Sequence, residues 1–241
     1  KTLNINIDQL KKKITKKTKA IMLINVLGIS SDLFEIKKIA KKNNLVLFED
    51  NCESLGSKLK NKYLGTFGNY ASFSFYYSHQ ITSGEGGMIT CNNDEDYEIL
   101  FSLRSHGWFG GNRFYSRKSK KYNYYAKKFP NLDSRYIFSN SGFNLRPTDI
   151  QAAIGYNQFK RLDKLKKMRN SNRNLILNKI QDSKKWKNQF SFITPSKDID
   201  PSWMGLPILI NEKFKKIKSK FIEILDQAGI ETRPIISGSF V

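Results

Sequence analysis

Cysteine is almost absent: Cys52 and Cys91 are the only two in 241 residues. Two thiols supply neither a disulfide framework nor the four ligands of a structural zinc or an iron–sulfur cluster. A reducing, cytoplasmic setting is therefore expected. No apolar stretch approaches the length of a membrane span and no secretory leader is visible, so no membrane partner is expected. Acidic residues are scarce beside basic ones, 21 against 42, which leaves a formal charge of +21. A surplus of that size raises a nucleic-acid-binding or scaffold role, because clustered Lys and Arg release counterions on binding phosphate backbones. Here the excess is mostly lysine in scattered pairs such as Lys37-Lys38, Lys120-Lys121 and Lys215-Lys216. It reads as a solvated surface with no nucleic-acid partner, whose field would still attract an anionic substrate.

With 39% hydrophobic and 13% aromatic residues, the chain has the material for one substantial core, or one core and part of a second. It opens on Lys1 rather than Met and stops at Ser239-Phe240-Val241, and an internal piece of a longer protein is expected. Leu10 and Ile14 suit a short helix in the lysine-rich first 19 residues. Ala20 to Leu27 is a nearly continuous apolar run, as in a strand covered on both faces. Ser31 and Asp32 can cap a helix whose buried stripe is Leu33, Ile36, Ile39 and Ala40. Leu45 to Phe48 is the next strand, and the strand–helix–strand order implies a parallel pair. Gly56, Gly65 and Gly68 punctuate a hairpin-like segment. Met88 to Thr90 reads as a returning strand and Asp94 to Leu103 as a helix.

Two stretches draw attention to chemistry. Glu49-Asp50-Asn51-Cys52-Glu53 lies at a strand's carboxyl end, where open α/β sheets place ligands. Taken alone, its acidic pair is as suited to capping a loop or holding a metal as to catalysis. The run SFSFYYSHQITSGEGG, Ser72 to Gly87, passes from a strand expected over Ser72 to Tyr77, through polar Ser78, His79 and Gln80, into a glycine-rich turn. A titratable imidazole between a strand end and a flexible turn is a place for chemistry, although a satisfied strand-end histidine fits as well. Further on, Arg104-Ser105-His106-Gly107-Trp108 opens an aromatic and basic stretch reaching Asn140, with Tyr115, Tyr122, Tyr124, Tyr125, Phe129 and Tyr136. Such a stretch could stack nucleic-acid bases, stack the base of a nucleotide sugar, or simply hold a long excursion at the surface.

A helix is expected from about Pro147 to Ile180, with Ile150, Ala153, Ile154, Leu162 and Leu165 on its buried side. Trp203 to Ile210 resembles a strand, with Pro207 marking an edge or bulge. Phe214, Ile217, Phe221, Ile224, Leu225 and Ala228 form a helical stripe ended by Gly229.

The run around His79 resembles the cofactor-lysine segment of the DegT-type, pyridoxal-phosphate-dependent nucleotide-sugar aminotransferases, with His79 on the lysine's position. Within that family, histidine there marks the sugar 3-dehydratase branch. The resemblance extends from Ala20 to Val241. It implies an α/β fold, an aspartate-aminotransferase-like large domain with a mostly parallel sheet over 1–165, followed by part of a small α+β domain over 166–241. It implies pyridoxal or pyridoxamine 5'-phosphate as cofactor, with Asp50 on the pyridine nitrogen and Glu53 near the phenolic oxygen. Ser74 and Asn144 would meet the phosphate, the latter in a neighbouring subunit, hence a homodimer with shared sites. Arg104, His106 and Arg233 would serve the substrate, a nucleotide-linked 4-keto-6-deoxy sugar, and L-glutamate would regenerate the amine form. His79 would move a proton from the cofactor while the hydroxyl at the sugar's third carbon leaves. The CDP-sugar subgroup that uses an iron–sulfur cluster is disfavoured, since no cysteine follows Cys91. A sugar aminotransferase is the first alternative and a basic nucleic-acid-binding or scaffold protein the second.

Overall fold

The computed structural model describes residues 2–108, 124–125, 127–133 and 136–235. The expected aromatic positions Tyr115 and Tyr122, and Ile236 to Gly238 near the end, lie outside the described residues.

Strands β1 (Ala20–Ile24), β2 (Val46–Asp50) and β5 (Tyr70–Ser74) run parallel, and β6 (Gly87–Cys91) returns antiparallel to β5, giving the order β1-β2-β5-β6. Between the first two lies helix α2 (Leu33–Lys42). The Asp32 carboxylate accepts from Phe34 N and Glu35 N, which satisfies two of the amides that a helix start leaves open. Leu33, Ile36, Ile39 and Ala40 of α2 are buried, as their spacing predicts. Leu33, Ile36 and Ala40 join Ile21, Leu23 and Leu47 from one face of the sheet in a single core. The preceding helix α1 (Ile7–Lys13) packs Ile7 and Leu10 on the edge of the same core.

The other face of the sheet is open. Its rows, fixed by register, are Met22–Phe48–Tyr70–Cys91 and Ile24–Asp50–Ser72–Ile89. Met22 is 58% and Ile89 57% exposed, while Phe48 stacks on Tyr70. Strand β1 therefore alternates between a covered and an open side, where the continuous apolar run suggested cover on both.

The segment after β2 differs from the glycine-punctuated hairpin expected there. The hairpin of β3 (Lys58–Leu59) and β4 (Lys62–Tyr63) turns at Lys60 and Asn61, both at positive φ. Gly65 and Gly68 instead belong to a loop wrapped around Glu49. This carboxylate is 1% exposed and accepts from Gly65 N at 2.8 Å, Phe67 N at 2.7 Å and Gly68 N at 2.6 Å. Burying this polar group is tolerable because three backbone donors replace its water.

Helix α3 (Asp94–Arg104) follows β6 as expected, capped by Asn93. The single helix expected from Pro147 to Ile180 is two: α4 (Asp149–Phe159), capped by Thr148 with Gln151 reaching back, and α5 (Leu162–Gln181). Of the expected buried side only Leu162 is buried, at 8%. Ile150 is 74% and Ile154 44% exposed. Spacing places apolar residues on one face but does not say what covers it.

Helix α5 runs through Lys166, and Ile193, Ile199 and Trp203 beyond it belong to the core that holds Ile21. Strand β8 (Ile199–Asp200) pairs with β3, and β7 (Phe190–Phe192) pairs antiparallel with β9 (Ile208–Ile210). The strand expected from Trp203 is thus confined to the three residues after Pro207. Helix α6 (Lys218–Gln227) closes the described chain and ends before Gly229, whose φ is +74°. No described helix is long and apolar enough to cross a membrane.

Candidate active site

The carboxyl ends of β2 and β5 put Asp50 and Ser74 on the open face of the sheet, two strands' width of backbone that ends in loops. Asp50 Oδ1 accepts from Cys52 N at 2.9 Å, which turns the chain back sharply after the strand. The Asp50 carboxylate also acts on the Cys52 thiol, and Ser72 is the residue paired laterally with Asp50. Burial and the Asp50 charge push this thiol up to about 12. At pH 8 only about one such thiol in ten thousand is ionised, against a good fraction of a free cysteine. Cys52 is accordingly expected to react with iodoacetamide at least about a hundredfold more slowly than free cysteine, as read by mass spectrometry of its peptide.

Glu53 turns the other way. Its Oε2 accepts from Leu27 N at 2.6 Å, and Leu27 stands at φ 55°, so the carboxylate pins the left-handed turn after β1. Burial raises its pKa and the nearby Asp50 raises it further, while the bond from Leu27 opposes both.

Strand β5 stops at Ser74, three residues short of the expected end at Tyr77. Ser74 Oγ accepts from Tyr76 N at 3.2 Å. The loop that follows is closed at its neck: Phe75 N donates to Gly86 O at 2.8 Å and Ser83 N to Phe75 O at 2.9 Å. His79 sits in this loop, its N–H bonded to Tyr76 O and its ring 6.3 Å from the Tyr76 ring. The imidazole is half-buried and its Nδ1 has no partner among the described residues. Burial lowers the His79 pKa, and the Asp50 charge draws it partly back. The next residue, Gln80, is buried and bridges Glu53 O and Ser202 O.

Arg233 reaches the rim of this loop. Its Nη2 donates to the Tyr77 hydroxyl at 3.3 Å, and the same Nη2, together with Nε, pairs with Glu231. Asp50, Glu53, Ser74, His79 and Arg233 therefore share one region. Arg104, His106 and Asn144 form a separate group at the end of α3. There His106 N donates to Phe143 O, Leu145 N to Arg104 O, and Ser105 bridges Asn144. Among the described residues no hydrogen bond or ring contact joins that group to His79. Asn144 is exposed, and Gly107, at φ +80°, lets the chain pass so close to Asn140 O that a Cβ would lie 1.6 Å from it. Sequence reasoning missed Gln80, Cys52 and Tyr77. Gln80 stood beside His79 in the run, but its partners are remote in sequence.

The profile of the DegT/DnrJ/EryC1/StrS aminotransferase family matches residues 1–239. The chain belongs to this family. It is 37% identical over 245 residues to GDP-4-keto-6-deoxy-D-mannose 3-dehydratase of Escherichia coli O55:H7 (strain CB9615 / EPEC), covering all of this chain and 59% of that protein. Among solved structures, the E. coli GDP-4-keto-6-deoxy-D-mannose-3-dehydratase with bound hydrated PLP superposes with a TM-score of 0.80 at 33% identity, over 99% of this chain and 59% of that one. A GDP-4-keto-6-deoxymannose-3-dehydratase with a trapped PLP-glutamate geminal diamine gives 0.79 at 33%, over 99% and 59%. The chain thus spans about three-fifths of the length of these relatives. Its fold is that of the PLP-dependent aminotransferase enzymes, α/β with a mostly parallel sheet.

Proposed function

We propose that the protein of which this chain is the shared part is a pyridoxamine phosphate-dependent 3-dehydratase of a nucleotide-linked 4-keto-6-deoxy sugar. What carries this is an imidazole, His79, on the position that the resemblance gives to the lysine of the family's aminotransferases. It lies within the field of Asp50 at the carboxyl ends of the sheet. The named 3-dehydratase relatives support the same reading.

The residues present fit the phosphate cofactor. Asp50, Ser72 and Ser74 line one face of the sheet where its strands end, and a buried imidazole nitrogen there lacks a partner. When bound, pyridoxamine phosphate supplies an amine for the 4-keto group and a ring that takes up electrons. Asp50 would hold a proton on the pyridine nitrogen, since a carboxylate stabilises the adjacent positive charge. Ser74, with Asn144 of a second copy, would bond the phosphate, and Glu53 would stand near the phenolic oxygen. His79 has no amine with which to trap the aldehyde form. It acts instead as a base that takes a proton on the imidazole, and burial keeps that ring neutral at working pH. With the proton taken by His79, the sugar's 3-hydroxyl would leave as water, and hydrolysis would release the 3-deoxy sugar and ammonia; glutamate, leaving as 2-oxoglutarate, would restore the amine form. Arg104, His106 and Arg233 are assigned to the substrate, in a cytoplasmic homodimer. Exposed Phe143, Leu145 and Ile150 around Asn144 offer an apolar face for the second copy, at 64%, 66% and 74% exposure.

The test is incubation of the full-length protein with PLP, glutamate and a panel of nucleotide 4-keto sugars, followed by mass. Loss of one oxygen with ammonia release is expected. A stable amino sugar would instead make the protein an aminotransferase, and no spectral change on cofactor titration would return it to the class of basic binding proteins.

A further inference from the structure

Among the described residues, Gln80 alone ties the His79 loop by its side chain to both the Glu53 turn and the Ser202 segment. It is 3% exposed, and Nε2 donates to Glu53 O at 2.5 Å and to Ser202 O at 3.1 Å. Glu53 belongs to the turn that follows Asp50. Ser202 lies 122 residues away, in a segment held from below: Ser57 Oγ accepts from Ser202 N at 2.8 Å and donates to Gly28 O at 2.8 Å. Gly28, at φ +91°, runs so near that a Cβ would stand 2.3 Å from Ser202 O. One amide therefore sits in a cradle of backbone carbonyls with no slack on the Ser202 side.

His79 has no comparable anchor of its own. Among the described residues its Nδ1 is unpartnered, its backbone N–H makes one turn bond, and its ring has one edge contact with Tyr76. The backbone of residue 79 is fixed chiefly through the residue that follows it.

We propose that Gln80 is a positioning residue for His79: its side-chain amide clamps the loop carrying the imidazole against the turn that follows Asp50, and so sets where the base stands. This rests on the role given to His79 above. A misplacement of about 1 Å in a proton-transfer group can lower turnover about a hundredfold while binding survives.

The test uses Gln80→Met, which keeps length and bulk and removes both donors. The chain has two histidines, so imidazole NMR signals of the cofactor-free protein are assigned with a His106→Gln control. The expected results are an upward shift of the His79 titration toward the ordinary imidazole range and a weaker Tyr76–His79 contact. In the full-length enzyme, kcat should fall about tenfold to a hundredfold with little change in the KM for the sugar. A folded Gln80→Met variant whose His79 titration and Tyr76 contact match the parent overturns the proposal. Should that variant not fold, Gln80→Asn, which keeps the amide but is too short to reach both carbonyls, is read in the same way. A shifted titration in a parent that performs no 3-deoxygenation would sink the dehydratase reading and leave the clamp standing.

Discussion

Replacing His79 by asparagine is expected to lower 3-deoxygenation by about 10²- to 10⁴-fold while the chain stays folded. The fold should tolerate it because the ring is half-buried and makes one edge contact, with its Nδ1 unpartnered among the described residues. On the role proposed for His79, what is lost is a neutral base within the field of Asp50, and a carboxamide cannot take a proton at working pH. His79→Lys probes the same position from the other side. A lysine amine is expected to hold the aldehyde form of the cofactor as an imine, which borohydride reduction makes permanent so that the cofactor stays on the chain through denaturing gel filtration, and to abolish oxygen loss from the sugar. Unchanged 3-deoxygenation in either variant would remove the imidazole from the proton step. The pH profile carries a second signature. Burial lowers the folded-state His79 pKa, so activity should persist below the ordinary imidazole range and fail only when the folded imidazole protonates. For stability the sign is the same. The unfolded chain takes the proton first, so the contribution of the neutral ring is present above the ordinary value and is lost as pH falls through the folded one.

Glu49→Ala is expected to leave the chain largely unfolded, with the loss seen as a missing cooperative transition in urea. Gly65, Phe67 and Gly68 all donate to this one buried carboxylate, and Asn25 approaches it at 3.5 Å. Removing the acceptor strands three amides away from water. At about 1–3 kcal/mol for each unsatisfied donor, the cost approaches the whole stability of a domain, about 5–15 kcal/mol. Glu49→Gln should be milder, since an amide oxygen still accepts from Phe67 and Gly68. Its NH2 would then face Gly65 N, a donor against a donor. A Glu49→Ala chain with the parent's urea midpoint would show that the loop is held by other means. The neighbouring carboxylate, Asp50, lies on the opposite face of the strand, so the adjacent acids of the pair have divided roles that alternation alone assigns: one builds the loop and one faces the site.

That division was only half legible beforehand. A strand end marks the acidic pair Glu49-Asp50 and an interrupted aromatic run marks His79, but each of these local signals fits a bland role as well, and it is the family resemblance that singles out Asp50 and His79; the structure puts both residues in one region. Helix α2 was equally readable, since Asp32 and the stripe from Leu33 to Ala40 agree with each other. The divide between α4 and α5 was not, because no glycine or proline marks Lys160 and Arg161, and Ile150 and Ile154 keep helical spacing whether or not anything covers them. The hairpin turn was assigned to glycines when Lys60 and Asn61 supply it, Asn being one of the few residues that accept that conformation readily. Gln80 and Glu49 work through partners that no window along the chain can show. Ser202 O, which receives Gln80, is brought in only when β8 pairs with β3.

The neck of the loop between β5 and β6 involves backbone at Phe75, Ser83 and Gly86, and none of those bonds uses the side chain at residue 79. A lineage can therefore exchange an amine for an imidazole at the tip without re-registering the sheet beneath. The architecture around the tip need not relearn how to fold when residue 79 changes.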